Sequence, residues 1–172
     1  MRIFAYYGNA SQRFRATSNR RGNLMPIHIL AVVVLGLMCG SELSVAAFAH
    51  PTFSAQPLET HVRLRAAFAV LLGRVMPFWM SGSTVLNLLL LLPFEHLSNA
   101  AWQLAAVAFA MQALAVVFSL VGPVPINNRI AKWTPESLPG DWRAQEHRWD
   151  VYHWWRTCGL VAGFVILVLS LR

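Results

Sequence analysis

The sequence predicts an all-α integral membrane protein: a four-helix bundle with a helical, amphipathic cap outside the membrane between its third and fourth spans. Three observations carry this. The 172 residues are 56% hydrophobic and only 12% charged, where a soluble domain carries about a quarter charged residues. Four segments, at 26–49, 75–94, 100–121 and 154–171, approach the roughly 20 apolar residues that cross a bilayer as a helix. The stretch from Pro125 to Arg156 then gathers five of the seven tryptophans between two apolar runs. Backbone groups in lipid need internal partners, so the spans are helices.

Residues 1–24 are rich in Arg, Ser and Asn without periodicity, which reads as a disordered tail ahead of a single domain at 25–172. Met25 offers a second start, and Arg20-Arg21 followed by an apolar region and "AFA" also has the outline of a cleavable signal. The first span carries one charge, Glu42, and the second and third carry none. Residues 58–74 fit either an interfacial amphipathic helix or the start of a long second helix kinked at Pro77. Ser98 is placed to cap the third helix, after a short turn "PFEHLSN". Pro139-Gly140 forms a turn, Asp141 can cap a helix beginning at Trp142, and no breaker appears before Gly159.

The net charge of +7 does not point to nucleic acid, because most arginines flank apolar runs and orient the spans. Five of them precede the first span, which places both termini in the cytoplasm of a multi-pass protein, with a bacterial inner membrane as the expected setting. Cys39 and Cys158 fall inside spans as small packing residues and have no metal-binding spacing. His28 and His96 read as interfacial residues near the opposite face.

Four spans bring the end of helix 1, the start of helix 2, the end of helix 3 and the start of helix 4 to one face. That face receives His50, His61, the Asn127-Asn128-Arg129 turn, His153 and Arg156. Trp142, Glu146, Trp149, His153 and Arg156 recur at steps of four and three, and Leu160, Gly163 and Leu167 continue the stripe. An aromatic belt at the headgroups accounts for the tryptophans alone. Arg156 lies deeper, where a charge should face protein or water. Glu42, inside the first span, must also face the interior. Similar depths in helices 2 and 3 hold Asn87 and Gln112, so a clamp joining Glu42 to both is expected.

"GSELSVAAFAHP", "RVMP", "PINNRIAKW" and "DWRAQEHRWDVYHWWRT" together resemble the anthrone oxygenase-like family of small four-span membrane proteins. The resemblance covers about residues 27–172. It implies oxidation of a lipid-soluble, flat polycyclic phenol by dioxygen without a metal or organic cofactor. On that reading His153, or else His50, is the base, and Arg156 and Asn128 stabilise the oxyanion. Asn127 shapes the turn, Trp149 and Trp142 form a stacking wall, and Glu42 joins the substrate site. Asp150 is expected to orient His153 or to pair with Arg129.

Two other readings stand beside it. Glu42, His50, His61 and His153 could supply ligands to a metal. Alternatively, the protein is a scaffold whose exposed Trp–His–Arg stripe binds a protein partner or a second copy. The discriminator is whether the stripe packs inward over a pocket or faces outward.

Overall fold

A computed structural model describes residues 27–92 and 97–172. The expected tail, Met25 and His96 lie outside these residues. The described residues form five α-helices and contain no strand. Helix α1 spans Ile27–Ser54, α2 Leu58–Leu89, α3 Asn99–Val121, α4 Pro123–Ile130 and α5 Trp142–Leu169. All except α4 are long and apolar enough to cross a membrane. The chain is a multi-pass helical membrane protein.

Residues 58–74 prove to be the first part of a continuous α2, which remains helical through Pro77. At 32 residues, α2 is roughly 48 Å long at the α-helical rise, well beyond a hydrocarbon core of about 30 Å. Its first turns therefore stand clear of that core. So do those of α5, and the two protruding ends pack together. Where a turn was expected at "PINNR", Gly122 breaks α3 and Pro123 begins α4 in the N-terminal position that proline favours. Ser98 caps α3, its hydroxyl accepting from the Ala101 N–H. Asp141 precedes α5 without capping it, its carboxylate accepting from the Gln145 amide instead.

In the membrane the core joins Ala31, Leu35 and Met38 of α1 to Met76 and Met80 of α2, Ala108 and Ala115 of α3, and Leu160 and Leu167 of α5. The buried face of α3 is made of small residues, Ala101, Ala105, Ala108, Ala115 and Ser119, with Gln112 among them. That lets α5 approach closely, as small residues do where lipid provides no hydrophobic drive between helices. A Cβ on Gly163 of α5 would touch Met111 Cβ at 3.4 Å. A second cluster under the cap joins Val45, Val62, Ala69, Ile126, Ile130, Trp133 and Trp149.

Near its end, α1 contains a π turn, Val45–Ala49, in which the His50 N–H reaches the Val45 carbonyl. Pro51 follows immediately. A proline has no N–H for the carbonyl four residues back and its ring crowds that carbonyl, so the wider turn relieves the conflict. In a regular helix Glu42 and His50 would be about 80° apart. The π turn winds less per residue and brings both side chains onto α5.

Candidate functional site

The polar residues of the capped face form two connected groups. The upper group lies where α2 and α5 protrude. Asp150 Oδ1 accepts from Arg65 Nη2 at 2.9 Å and from His50 Nδ1 at 3.0 Å. Glu146, one helical turn before Asp150, places Oε1 2.6 Å from Arg65 Nε and 2.9 Å from His61 Nε2. These last two contacts lie off hydrogen-bond angles, and the one to Arg65 acts through charge. His61 Nδ1 donates to the Phe53 carbonyl at 2.9 Å, which ties α2 to the end of α1. Arg65 is only 2% exposed and is the hub: its planar fork engages two carboxylates one turn apart, which a lysine cannot reproduce.

The lower group lies about two turns deeper. Glu42 and Arg156 form a buried ion pair through Oε2 and Nη2. Arg156 Nη2 also donates to His153 Nδ1 at 3.0 Å, and Nη1 to Ser119 Oγ at 3.3 Å. His153 Nε2 lies 3.1 Å from the Glu42 carbonyl oxygen. A carbonyl only accepts, so His153 carries a hydrogen on Nε2, while its Nδ1 faces both Arg156 Nη2 and, at 3.1 Å, Glu42 Oε2. Both of its nitrogens are engaged.

Trp149 joins the groups. Its ring stacks on His153 at 4.6 Å and 15°, lies 4.6 Å from the His50 ring, and sits under the Arg65 guanidinium at 5.6 Å. The stripe expected on α5 is its buried face: Glu146, Trp149, His153, Arg156, Leu160, Gly163 and Leu167. It turns inward, with Trp142 half-buried at its start against Trp133 and His61.

Several cavities border these groups, one of them an open one of about 280 Å³ between α3 and α5 that Arg156 also lines. A largely apolar one, about 250 Å³, lies between α2, α3, α4 and α5. Leu72, Met76, Pro77, Met80, Val116 and Leu120 line it, with Asn127, Asn128, Ser119, Trp149 and Arg156 at its polar end. Gly73 keeps the wall thin there, since a Cβ would come within 3.3 Å of Asn127 Nδ2. Asn127 itself donates to the Ala69 carbonyl at 2.8 Å and fixes α4 against α2. Arg156 Nε and Trp149 Nε1 are buried N–H donors with no acceptor among the described residues. A narrow void beyond Leu72, Asn127 and Trp149 leads to His50 and Arg65. On the far side of His50 a cavity of about 180 Å³ is lined by Ala46, Ser54, Asp150, His153 and Trp154. An open, more polar vestibule of about 460 Å³ then borders His61, Glu146, His147 and Asp150.

Several sequence expectations are corrected by this geometry. His50, Asn128, His153 and Arg156, all expected at one face and assigned to one site, do not line one cavity: Asn128 and Arg156 line the apolar cavity, while His50 and His153 line the one behind Trp149. Asp150 neither orients His153 nor pairs with Arg129; it holds His50 and Arg65. Glu42 is not clamped to Asn87 and Gln112. Those two bond each other, and Gln112 also donates to Ser83 at 2.6 Å. The reason is the early start of α2, which puts Asn87 far below Glu42. Of the four candidate metal ligands, Glu42 meets His153 and His50 lies beside that ring, but His61 stands apart with Glu146, and among the described residues no group of three or more His, Cys, Asp or Glu is arranged to hold a metal. Arg65 was missed. Its signal was the spacing from His61, four residues on one helix face, which becomes readable once 58–74 is known to be helical.

Fold and site together define a four-span membrane protein that surrounds an enclosed polar centre with an apolar cavity. Its sequence matches the family described as anthrone oxygenase over residues 64–166, and the chain belongs to that family. The matched segment includes Arg65, Asn127, Asn128, Trp149, Asp150, His153 and Arg156, whereas Glu42 and His50 of α1 precede it. No curated protein and no solved structure matches the chain.

Proposed function

We propose that the protein oxidises a flat, hydroxylated anthrone-type substrate with dioxygen, turning a ring methylene into a carbonyl. The observation that carries the reading is the apolar cavity with two buried, unpartnered N–H donors, Arg156 Nε and Trp149 Nε1, on residues at its polar end. A polycycle arriving from the bilayer would lie among Leu72, Met76, Met80 and Val116. Its oxygen, charged as the methylene proton leaves, would take up those donors, with Asn128 at the rim. The base is His50 in preference to His153, and it is approached from the cavity through the narrow void past Leu72, Asn127 and Trp149. His50 Nε2 has no hydrogen-bond partner among the described residues, whereas both nitrogens of His153 are engaged.

The chemistry balances without a metal or organic cofactor. The base removes one methylene proton, and the carbanion, delocalised as an extended phenolate, passes an electron to dioxygen. Recombination and return of the proton form a hydroperoxide on that carbon. Loss of water then leaves the carbonyl, so one dioxygen and one methylene give one ketone and one water. On this reading both termini lie on the cytoplasmic side of a bacterial inner membrane.

The test is oxygen uptake by the purified protein in lipid nanodiscs with 1,8-dihydroxyanthrone, against protein-free nanodiscs. One dioxygen consumed per quinone, at a rate well above the spontaneous one, is expected. Trp149→Phe, which removes a single N–H donor, should lower the rate by about 10²-fold. Uptake no faster than in empty nanodiscs ends this reading.

A further inference from the structure

His50 is the first residue after a π turn, on a span outside the segment that carries the family match. Its neighbours nevertheless treat it as an oriented group. Asp150 reaches it from α5, and the same oxygen that meets His50 Nδ1 also accepts from Arg65 of α2. Arg65 is in turn held by Glu146, and Glu146 meets His61. The other charged or titratable ring near His50 is His153, 5.9 Å away centre to centre. Among the described residues every polar partner therefore acts on the Nδ1 edge or on Asp150, and Nε2 has none. A carboxylate at Nδ1 fixes which nitrogen carries the hydrogen, which is how a third group orients a catalytic base.

We infer that Asp150, anchored by Arg65, is a positioning residue that holds His50 in the Nδ1–H tautomer and leaves Nε2 as the atom that accepts the substrate proton. This rests on the oxidation reading for its last step, but the tautomer itself does not. Asp150 touches neither cavity donor, Arg156 Nε nor Trp149 Nε1; its side-chain partners are His50 and Arg65. The shared acceptor makes a graded test available. In Asp150→Asn a carbonyl oxygen can take the place of Oδ1 and accept from both neighbours, keeping the tautomer but losing the charge. In Asp150→Leu both are lost.

The decisive measurement is the ¹⁵N spectrum of histidine-labelled protein in nanodiscs, with His50 assigned by comparison with His50→Gln. His50 should show protonated Nδ1 and bare Nε2 in the wild type and in Asp150→Asn, and a shift toward the Nε2–H form in Asp150→Leu. With hydroxyanthrone, kcat should fall by about 10²–10⁴-fold in Asp150→Leu, the range for losing a positioned base. Asp150→Asn should recover part of that loss, and KM should change little in either. A wild-type His50 carrying its hydrogen on Nε2 overturns the inference, as does Asp150→Leu with unchanged tautomer or kcat within twofold of wild type. If Asp150→Leu does not fold, the wild-type and Asp150→Asn spectra still decide. A wild type that shows the expected tautomer but oxidises nothing removes the oxidation reading and leaves the positioning pair standing.

Discussion

His50 and His153 are both buried, lie with ring centres 5.9 Å apart and pack against the same indole of Trp149. Their nitrogens nevertheless meet different partners. His153 donates from Nε2 to a backbone carbonyl and accepts at Nδ1 from Arg156. His50 gives Nδ1 to a carboxylate and keeps Nε2. The lesson is that burial among polar groups does not make a base; a lone pair left over after the protein's own bonds are made does. His153 is built into the ion pair that holds α1 against α5. His50 is held from one side only.

The comparison can be broken most severely at the open nitrogen. His50→Gln keeps a polar side chain but removes the titratable ring, and should lower hydroxyanthrone turnover by about 10²–10⁴-fold, the usual worth of a positioned base. His153→Gln should cost much less in turnover, about tenfold. It should lower stability by about 1–3 kcal/mol, because it strips partners from Arg156 and the Glu42 carbonyl. Paired oxygen-uptake and thermal-unfolding curves in detergent give both numbers. Equal loss of turnover in the two variants would erase the distinction.

The lower group should be the more costly to leave half-made. Glu42→Ala strands Arg156 in the bundle, and losing one partner of a buried pair costs about 3–5 kcal/mol. The expected readout is a large drop in melting temperature together with reduced yield from the membrane. By contrast, Gln112→Leu breaks only neutral hydrogen bonds to Asn87 and Ser83. Such bonds between membrane helices average about 0.6 kcal/mol, so a small shift in unfolding with unchanged turnover is expected.

Much of this arrangement is legible in the sequence, and the illegible parts have physical causes. The stripe from Trp142 to Leu167 follows from the α-helical period, because a helix buries whatever recurs at three and four. That Glu42 faces inward follows from the cost of a carboxylate in lipid. Which partner it meets does not, because depth was counted from Val75 and α2 starts at Leu58. The π turn beside Pro51 was equally hidden, and it decides that Glu42 and His50 both face α5. Arg65 resembled one more charge flanking a span; only the protrusion of α2 and α5 from the hydrocarbon shows what it joins.

By itself, the sequence determined that this chain crosses a membrane as helices, which helix face is buried, and to which end the polar residues go. Periodicity and the cost of polar groups in lipid are local properties that one chain segment expresses alone. The tertiary structure decided the pairing: Asp150 with His50, Glu42 with Arg156, and Trp149 between the two histidines. Apart from Trp149 on His153 within α5, those contacts join residues about 100 or more positions apart. They depend on where each helix starts and how far it is wound, so a shift of one turn would give each charge a different neighbour.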